Sequence, residues 1–577
     1  MAIIGIDLGT TNSLAVAYRN GKVEMIPNQF GEYLTPSVVS IDDNGKLIVG
    51  KIAKERLVTH SNQTTSLFKR NMGTSKKVFL GKKCFLPEEL SALVVKQLVE
   101  DARNYLKEEI HELVISVPAY FNAKQRKATK KVGKILGIRV ERLINEPSAA
   151  AIACHKNDNY ETFIVFDFGG GTLDISLVDC FDNVVSITSI AGDNHLGGSD
   201  FDLTLAKYFC NNNNINFEQL DNSKKESLIL NSERVKIELQ TRDSVLMKAN
   251  LGGVFHSSMI TVDILREITM PIFNRIKSII GRAVKDSGFS VNEINNLILV
   301  GGSSYIPIVK EYLTKLIRVP VIQTDEIDYL VAKGLGKYIG IKQRDETIKN
   351  MVVTDICPFS LSTATHNKID NGNAYATVII PRNTVLPASY TKELEVVEIG
   401  QREINIEVYQ GEGMYVKNNL LLGSATIKVP KNLKERERFN ITYSYDINSM
   451  LYIEVEIIST GENTVLTIGE DNILQNTQEL RNLNAIKDIS LKLNQNPQIE
   501  LLIERANRIY EELDDYNKDQ LLQVEASFNH VIKDCKNNVH HRLDTIARFE
   551  EILNQFEQHN NIDNLDIFLS NDQEFPS

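Results

Sequence analysis

No run of about 18 uninterrupted apolar residues occurs anywhere in this 577-residue chain, so no segment reads as a membrane-spanning helix. Its six cysteines contain no CxxC pair. Cys84, Cys154, Cys180, Cys210, Cys357 and Cys535 stand singly, which argues against a zinc site or a disulfide framework, and they read as reduced, mostly buried small hydrophobes. The pattern GxxxxGK[ST] is missing, and with it the P-loop. Positive charge is in deficit: a net charge of −11 disfavours nucleic acid or an anionic membrane as the main partner. The start MAIIGIDLG has no basic leader region and no cleavage site, which gives the expectation of a cytoplasmic protein. A chain of this length exceeds one core and predicts three or four domains.

The most informative segment is Ile4-Gly-Ile-Asp-Leu-Gly-Thr-Thr-Asn-Ser13, a buried strand that ends in an acid and a glycine turn dense with hydroxyls. Asp7 is suited to a Mg²⁺ held through water. Gly9 lets backbone approach a phosphate, and Thr10, Thr11 and Asn12 supply donors to its oxygens. Taken alone the segment could be an ordinary hairpin turn. It recurs, however, in Phe163-Ile-Val-Phe-Asp-Phe-Gly-Gly-Gly-Thr-Leu-Asp-Ile-Ser176, with Asp167, then Gly169, Gly170 and Gly171, then Thr172 and Asp174. Two equivalent loops imply an internal duplication, with Asp7 and Asp167 facing one nucleotide across a cleft. A third strand-and-glycine element, Asn296-Leu-Ile-Leu-Val-Gly-Gly-Ser-Ser304, suits a nucleoside or phosphate passing close to Gly301, Gly302 and Ser303.

Residues 1–343 alternate short apolar runs with helical patterns, as an α/β ATPase of two lobes would. Glu112 to Pro118 is one strand, and the helix after it runs from Asn122 to Leu136. Beyond Asp345 the period changes: Ile404-Asn-Ile-Glu-Val-Tyr and Leu451-Tyr-Ile-Glu-Val-Glu-Ile457 alternate strictly, which predicts an antiparallel β-sandwich over 357–475. From 476 onward helices take over. Leu502, Ala506, Ile509 and Leu513 share one face, as do Leu521, Val524, Phe528, Val531 and Cys535, and then Leu543, Ile546, Leu553 and Phe556. The tail after Gln558 is expected to be mobile.

Several long motifs, in order along nearly the whole chain, resemble those of the DnaK-type heat-shock 70 chaperone family. They are IGIDLGTTNS, Ser116-Val-Pro-Ala-Tyr-Phe-Asn122, Ile144-Asn-Glu-Pro-Ser-Ala-Ala-Ala151, FDFGGGTLDIS, Gly192-Asp-Asn-His-Leu-Gly-Gly-Ser-Asp-Phe-Asp202 and LVGGS. Segments such as Leu67-Phe-Lys-Arg-Asn-Met-Gly73 and Thr354-Asp-Ile-Cys-Pro-Phe-Ser-Leu361 are most like the HscC subgroup. The resemblance implies an actin-like, duplicated RNase H-like ATPase domain at 1–343, a linker at 344–356, the sandwich as substrate-binding domain, and a small helical lid at 476–577, shorter than the family's usual lid. It further implies ATP or ADP with Mg²⁺ as cofactors. Lys69 matches the family's catalytic lysine, which holds the attacking water, although without the family it would read as a surface lysine. Asp7 and Asp174 take metal-bound or attacking water, Asp167 and Glu146 the metal shell and proton acceptance, and Thr10, Thr11 and Thr172 the phosphate oxygens. Gly197 and Gly198 belong to the same phosphate and nucleoside set, with Asp328.

In Ser232-Glu-Arg-Val-Lys-Ile-Glu-Leu-Gln240 the match places Glu233 and Lys236 near the ribose. Two arginines that the family usually stacks on the adenine stand here as Ile237 and Tyr305, so dispersion and ring stacking replace a cation–π contact and nucleotide binding should be weaker and exchange faster. The other reading makes Ile237 plain core. The linker Met351-Val-Val-Thr-Asp355 is either a flexible spacer or an exposed docking strand that adds to an ATPase edge, with Val352, Val353 and Asp355 as coupling residues. Pro118 and Arg126 match the family's proline switch, and Arg142 and Asn145 its docking site for J-domain co-chaperones. Val397, Ile404, Ile406 and Met450 would line an apolar peptide groove, or serve as sandwich core, and His366 sits where the family arches over the peptide. Clients would be unfolded or extended polypeptides, with a J-domain protein and a nucleotide exchange factor as further partners. Two functions compete: an ATP-hydrolysing chaperone that cycles between peptide affinities, and a non-cycling, exchange-factor-like relative.

Overall fold

The computed structural model of the protein describes residues 2–155, 160–251, 253–346, 348, 350–366, 374–432, 434–446, 451–468, 496–534 and 539–557. Two sheets repeat one plan. In the first, Ala2–Asp7 runs antiparallel to Asn12–Arg19, which pairs in turn with Lys22–Ile26, while Ile110–Val117 lies parallel on the other side with Arg139–Asn145 outside it. In the second, Glu161–Phe168, Leu173–Phe181 and Val184–Asp193 take the same antiparallel course, and Asn296–Val300 with Val321–Ile322 takes the parallel side. The duplicated loops therefore sit at matching positions of matching sheets. The central strands read as continuous apolar runs because helices cover them. Ile115 and Phe166, for example, are wholly buried.

Local chemistry sets the helix ends. Asn122 accepts from the Gln125 N–H while the Gln125 side chain returns to the Asn122 N–H, so the predicted helix is Ala123–Leu136 with Asn122 as its cap, stopped by Gly137 in the left-handed region.

Past the linker, two four-stranded antiparallel sheets share one apolar core that takes Leu361, Ile404 and Val408 from one sheet and Phe439, Tyr443 and Ile453 from the other. The strand Leu451–Ile457 alternates buried and exposed residues without exception, as its sequence period requires. Between the halves, Val352–Thr354 adds to the edge of the second sheet in parallel with Val184–Asp193.

Helices Pro497–Glu512, Asp515–Asp534 and Val539–Glu557 form a bundle around Leu502, Ala506, Ile509, Phe528, Phe549, Leu553 and Phe556, with Phe528 and Phe549 stacked at 4.1 Å. Leu543 is a correction: it is 54% exposed, because the buried face of its helix runs through Thr545, Phe549, Leu553 and Phe556 and position 543 falls off that stripe. Cys535, Met450 and the tail after Gln558 lie outside the described residues. Among the described residues Cys180, Cys210 and Cys357 are free and buried, Cys154 half-buried and Cys84 exposed, and no helix is long and apolar enough to cross a membrane.

Candidate functional site

Strands Ala2–Asp7 and Glu161–Phe168 end at one cavity of about 450 Å³, within the range of small-molecule sites. The loops that follow them touch: a Cβ on Gly170 would lie 1.7 Å from Thr11 Oγ1, so glycine is required for the contact. Gly301, at φ 79°, brings the third loop within reach, since a Cβ there would meet Phe168 O at 2.7 Å and Asp167 Oδ1 at 2.8 Å. Every expected catalytic, metal and nucleotide residue lines this cavity except Asp174, Gly171 and Gly197. Asp174 is buried just behind the wall, where its Oδ1 accepts the Tyr120 N–H at 2.9 Å. Gly171 accepts Arg70 Nε at 3.1 Å, and Gly197 rests on the Gly170–Gly171 backbone.

Lys69 sits in a short 3-10 turn, Phe68–Asn71, entered through Leu67 at φ 54°. It is buried, not a surface lysine. Its amine donates to Leu8 O and to Glu146 Oε1 at 3.0 Å, and lies 5.5 Å from the Phe121 ring centre. Around it the carboxylates repel. Burial, and then the charge of Glu146, push Asp7 up to about 7, against the pull of the Ser116 hydroxyl at 2.7 Å and of Lys69. Asp174 is also pushed up to about 7 by burial and Glu146, partly offset by the Tyr120 N–H. Asp167 is held well above the usual carboxylate range by burial and by Glu146, Asp174 and Asp7.

The site is short of positive charge, and Asp174 Oδ2 has no hydrogen-bond partner among the described residues. Among those residues no group of three or more acidic, histidine or cysteine side chains is placed to hold a metal ion directly. The crowded carboxylates and the unpartnered Asp174 Oδ2 are compatible with a bound divalent cation such as Mg²⁺.

Where the base was expected, Lys236 Nζ is 2.6 Å from Asp202 Oδ1, and burial still raises Asp202 to about 6. Glu233 pairs with Lys54 at 2.8 Å; burial raises its pKa, but the Lys54 charge outweighs this and holds it below the usual range. Ile237 is 51% exposed on the cavity wall rather than in the core. Tyr305 also lines the cavity, and its hydroxyl donates to Asp325 O at 3.0 Å. Sequence reasoning missed Arg70, which ties the two halves together through Asp200 at 2.6 Å, and Ser37, which donates to Gly9 O at 2.8 Å. Arg70 directly follows Lys69. Nothing local marks Ser37.

Three of the expected coupling residues, Arg126, Asn145 and Asp355, meet in one chain of bonds. Arg126 donates to Asn145 Oδ1 at 2.6 Å and to Ala119 O at 3.1 Å, and Asn145 Nδ2 donates to Asp355 Oδ2 at 2.6 Å, with Ser148 Oγ at 3.2 Å. Pro118 is buried at the end of the Ile110–Val117 strand beside this chain. Arg142 donates to Tyr338 OH at 3.0 Å and lies 5.0 Å from that ring. In the linker the exposed Met-Val-Val run is a correction: Met351 is buried and Val353 packs on a core, while Val352 alone is 52% exposed, because successive strand residues alternate faces. Thr354 finds a polar partner, Ser186 Oγ, at 3.0 Å. In the sandwich, Ile404 and Ile406 are buried in the core cluster, Val397 is 42% exposed and His366 is exposed at a strand end.

The chain matches the family model described as Hsp70 protein over residues 3–80 and 74–571. A match of that extent, with the two phosphate-type loops converging on one cavity, shows that this chain belongs to the Hsp70 family.

Proposed function

We propose that the chain is an ATP-hydrolysing chaperone in which an actin-like ATPase, residues 1–343, controls how tightly the sandwich, 357–475, holds extended apolar peptide segments, with 344–356 as linker and 476–577 as lid and tail. Hsp70 proteins are nucleotide-binding ATPases, generally with Mg²⁺, and work on client polypeptides with co-chaperones. The observation that carries the reading is Lys69, a buried ammonium held between Leu8 O and Glu146 at the meeting point of two glycine loops.

Hydrolysis breaks the bond between the γ-phosphorus and its bridging oxygen as water attacks, and charge spreads over the equatorial oxygens. Thr10, Thr11 and Thr172 offer hydroxyls and backbone N–H groups to those oxygens. Lys69 is held in one orientation by two acceptors, so it meets the attacking water without reorganisation. Glu146 and Asp167, both on the cavity wall, are suited to take the proton that water loses. A bound Mg²⁺ would neutralise phosphate charge through waters held by Asp7 and Asp167.

Lys69→Ala should lower single-turnover hydrolysis by about 10²-fold or more while ATP still binds, because the lysine acts on the transition state. Quenched-flow turnover beside equilibrium ATP binding checks this: parent-like turnover in the variant would sink the role given to Lys69, and a parent that binds ATP without turnover would favour the non-cycling, exchange-factor-like reading. The match to the HscC subgroup, a J-domain partner at Arg142 and Asn145, and a peptide groove near Val397 belong to the same proposal.

A further inference from the structure

The bundle helix Pro497–Glu512 does not rest on one side of the cleft. It bridges both rims. On the first rim, helix Lys51–Thr59, Arg56 donates to Glu504 Oε1 at 2.7 Å and Arg508 donates to Glu55 Oε2 at 2.5 Å, both nearly buried. On the second rim, Arg234 of helix Asn222–Glu238 donates to Glu512 Oε2 at 2.9 Å, and Asn250 Nδ2 donates to Leu513 O at 3.3 Å. Leu501 packs into an apolar cluster that holds Ile52 and Leu57 of one rim and Leu230 of the other. The inner faces of these same two rim helices line the nucleotide cavity through Lys54, Leu57, Leu230 and Glu233.

A cleft that opens must part Lys51–Thr59 from Asn222–Glu238, and every such motion strains a helix that is ion-paired to both. The two attachments differ in strength. Arg508 is enclosed by Glu55, Glu512 and Glu557, and with Arg505 it holds Glu557 down to about 2 although burial pushes the other way. The Arg234–Glu512 pair is more open to solvent, at 29% and 14% side-chain exposure. The weaker bond is therefore on the second rim.

We propose that the C-terminal helical bundle is a clasp on the nucleotide cleft, attached firmly to the first rim and releasably to the second through Arg234–Glu512 and Asn250–Leu513, so that nucleotide leaves only after the clasp lets go. This rests on the nucleotide-binding reading above. It gives the bundle a task apart from covering peptide: setting the residence time of nucleotide in cis.

The test is stopped-flow release of a fluorescent ADP analogue from the full chain, for the parent, Arg234→Gln, Glu512→Gln and the double variant, with circular dichroism melts as the folding control. Each single change should speed release by about two- to fivefold, as loss of one partly exposed ion pair allows, and the double variant should be no faster than either single. Raising salt should speed the parent and leave the variants nearly unchanged. Asn250→Ala, which removes the second attachment without a change of charge, should speed release as well. Unchanged or slower release in the variants, or additive effects of the two charge changes, would overturn the clasp while leaving the ATPase reading intact. A parent chain that takes up no analogue at equilibrium would overturn both.

Discussion

Asp7, Asp167, Asp174 and Glu146 crowd one lysine, and three of the four carboxyls are pushed above the ordinary carboxylate range. Such groups favour the protonated form in the folded state. For Asp174, whose ordinary value is 3.8 and whose folded value is about 7, the nucleotide-free protein loses stability as pH rises from near 4 toward 7, and the penalty is complete above 7. Asp174→Asn removes that ionisation while it keeps an acceptor for the Tyr120 N–H. The variant should melt about 2–4 °C higher than the parent at pH 8 in the absence of nucleotide and cation, with little difference at pH 4, and should lose turnover. Differential scanning calorimetry at the two pH values checks the stability, and equal shifts at both would show that Asp174 is not ionising in the folded chain. The same crowding suits a buried Lys69: a cation there offsets part of the repulsion among Asp7, Asp167 and Asp174.

On the proposed reading, the strand Val352–Thr354 is the element on which coupling depends. Its hydrogen bonds to Val184–Asp193 come from backbone and are open to any sequence; the side chains decide how firmly it docks. Val353 faces the core and Val352 faces solvent. Val353→Asp would bury an unpaired charge at a cost of a few kcal/mol, which exceeds a typical coupling energy of about 1–3 kcal/mol, whereas Val352→Asp would not. Peptide affinity measured by fluorescence anisotropy should therefore become the same with ATP and ADP in Val353→Asp, and stay nucleotide-dependent in Val352→Asp. Loss of the nucleotide effect in both variants, or in neither, would move the coupling to another element.

Across the whole molecule, residues 359–410 contact the N-terminal half at several points. Ala123 N–H donates to Gln410 Oε1 at 2.9 Å, Arg382 pairs with Asp286 at 2.7 Å, and the rings of Tyr120 and Phe359 lie 4.5 Å apart. Tyr120, whose N–H holds Asp174, makes one of these contacts and Ala123 just beyond it another, while Asp286 belongs to the separate helix Met270–Ser287. If ATP favours the docked arrangement, reciprocity requires that peptide disfavour it. Arg382→Glu sets two negative groups against each other at this contact and should raise peptide affinity in the presence of ATP by up to about tenfold, with affinity in ADP unchanged. Titration of a labelled Leu-rich peptide with each nucleotide measures it, and an equal change in both states would mean that Arg382 acts on the groove itself.

What the sequence determined by itself was everything set by neighbours along the chain. The two Asp-glycine-Thr loops, the strict alternation of Leu451 to Ile457 and the capped helix after Asn122 each depend on contacts over a few residues, and each stands where the sequence puts it. Leu543, expected inside, and Met351 and Val353, expected outside, went wrong for a related reason: each is an apolar residue whose burial is decided only by the position of the partner that covers its side of the element. The tertiary structure alone decided the long-range bonds. Arg508 reaches Glu55 across 453 positions and Arg234 reaches Glu512 across 278, and no local pattern distinguishes these arginines from solvated ones. A charged side chain on a helix satisfies its own turn equally well in water or in a clasp. Its role follows from what the fold brings opposite it, because burial beside a partner is what converts a weak surface charge into a bond that must break before the cleft can open.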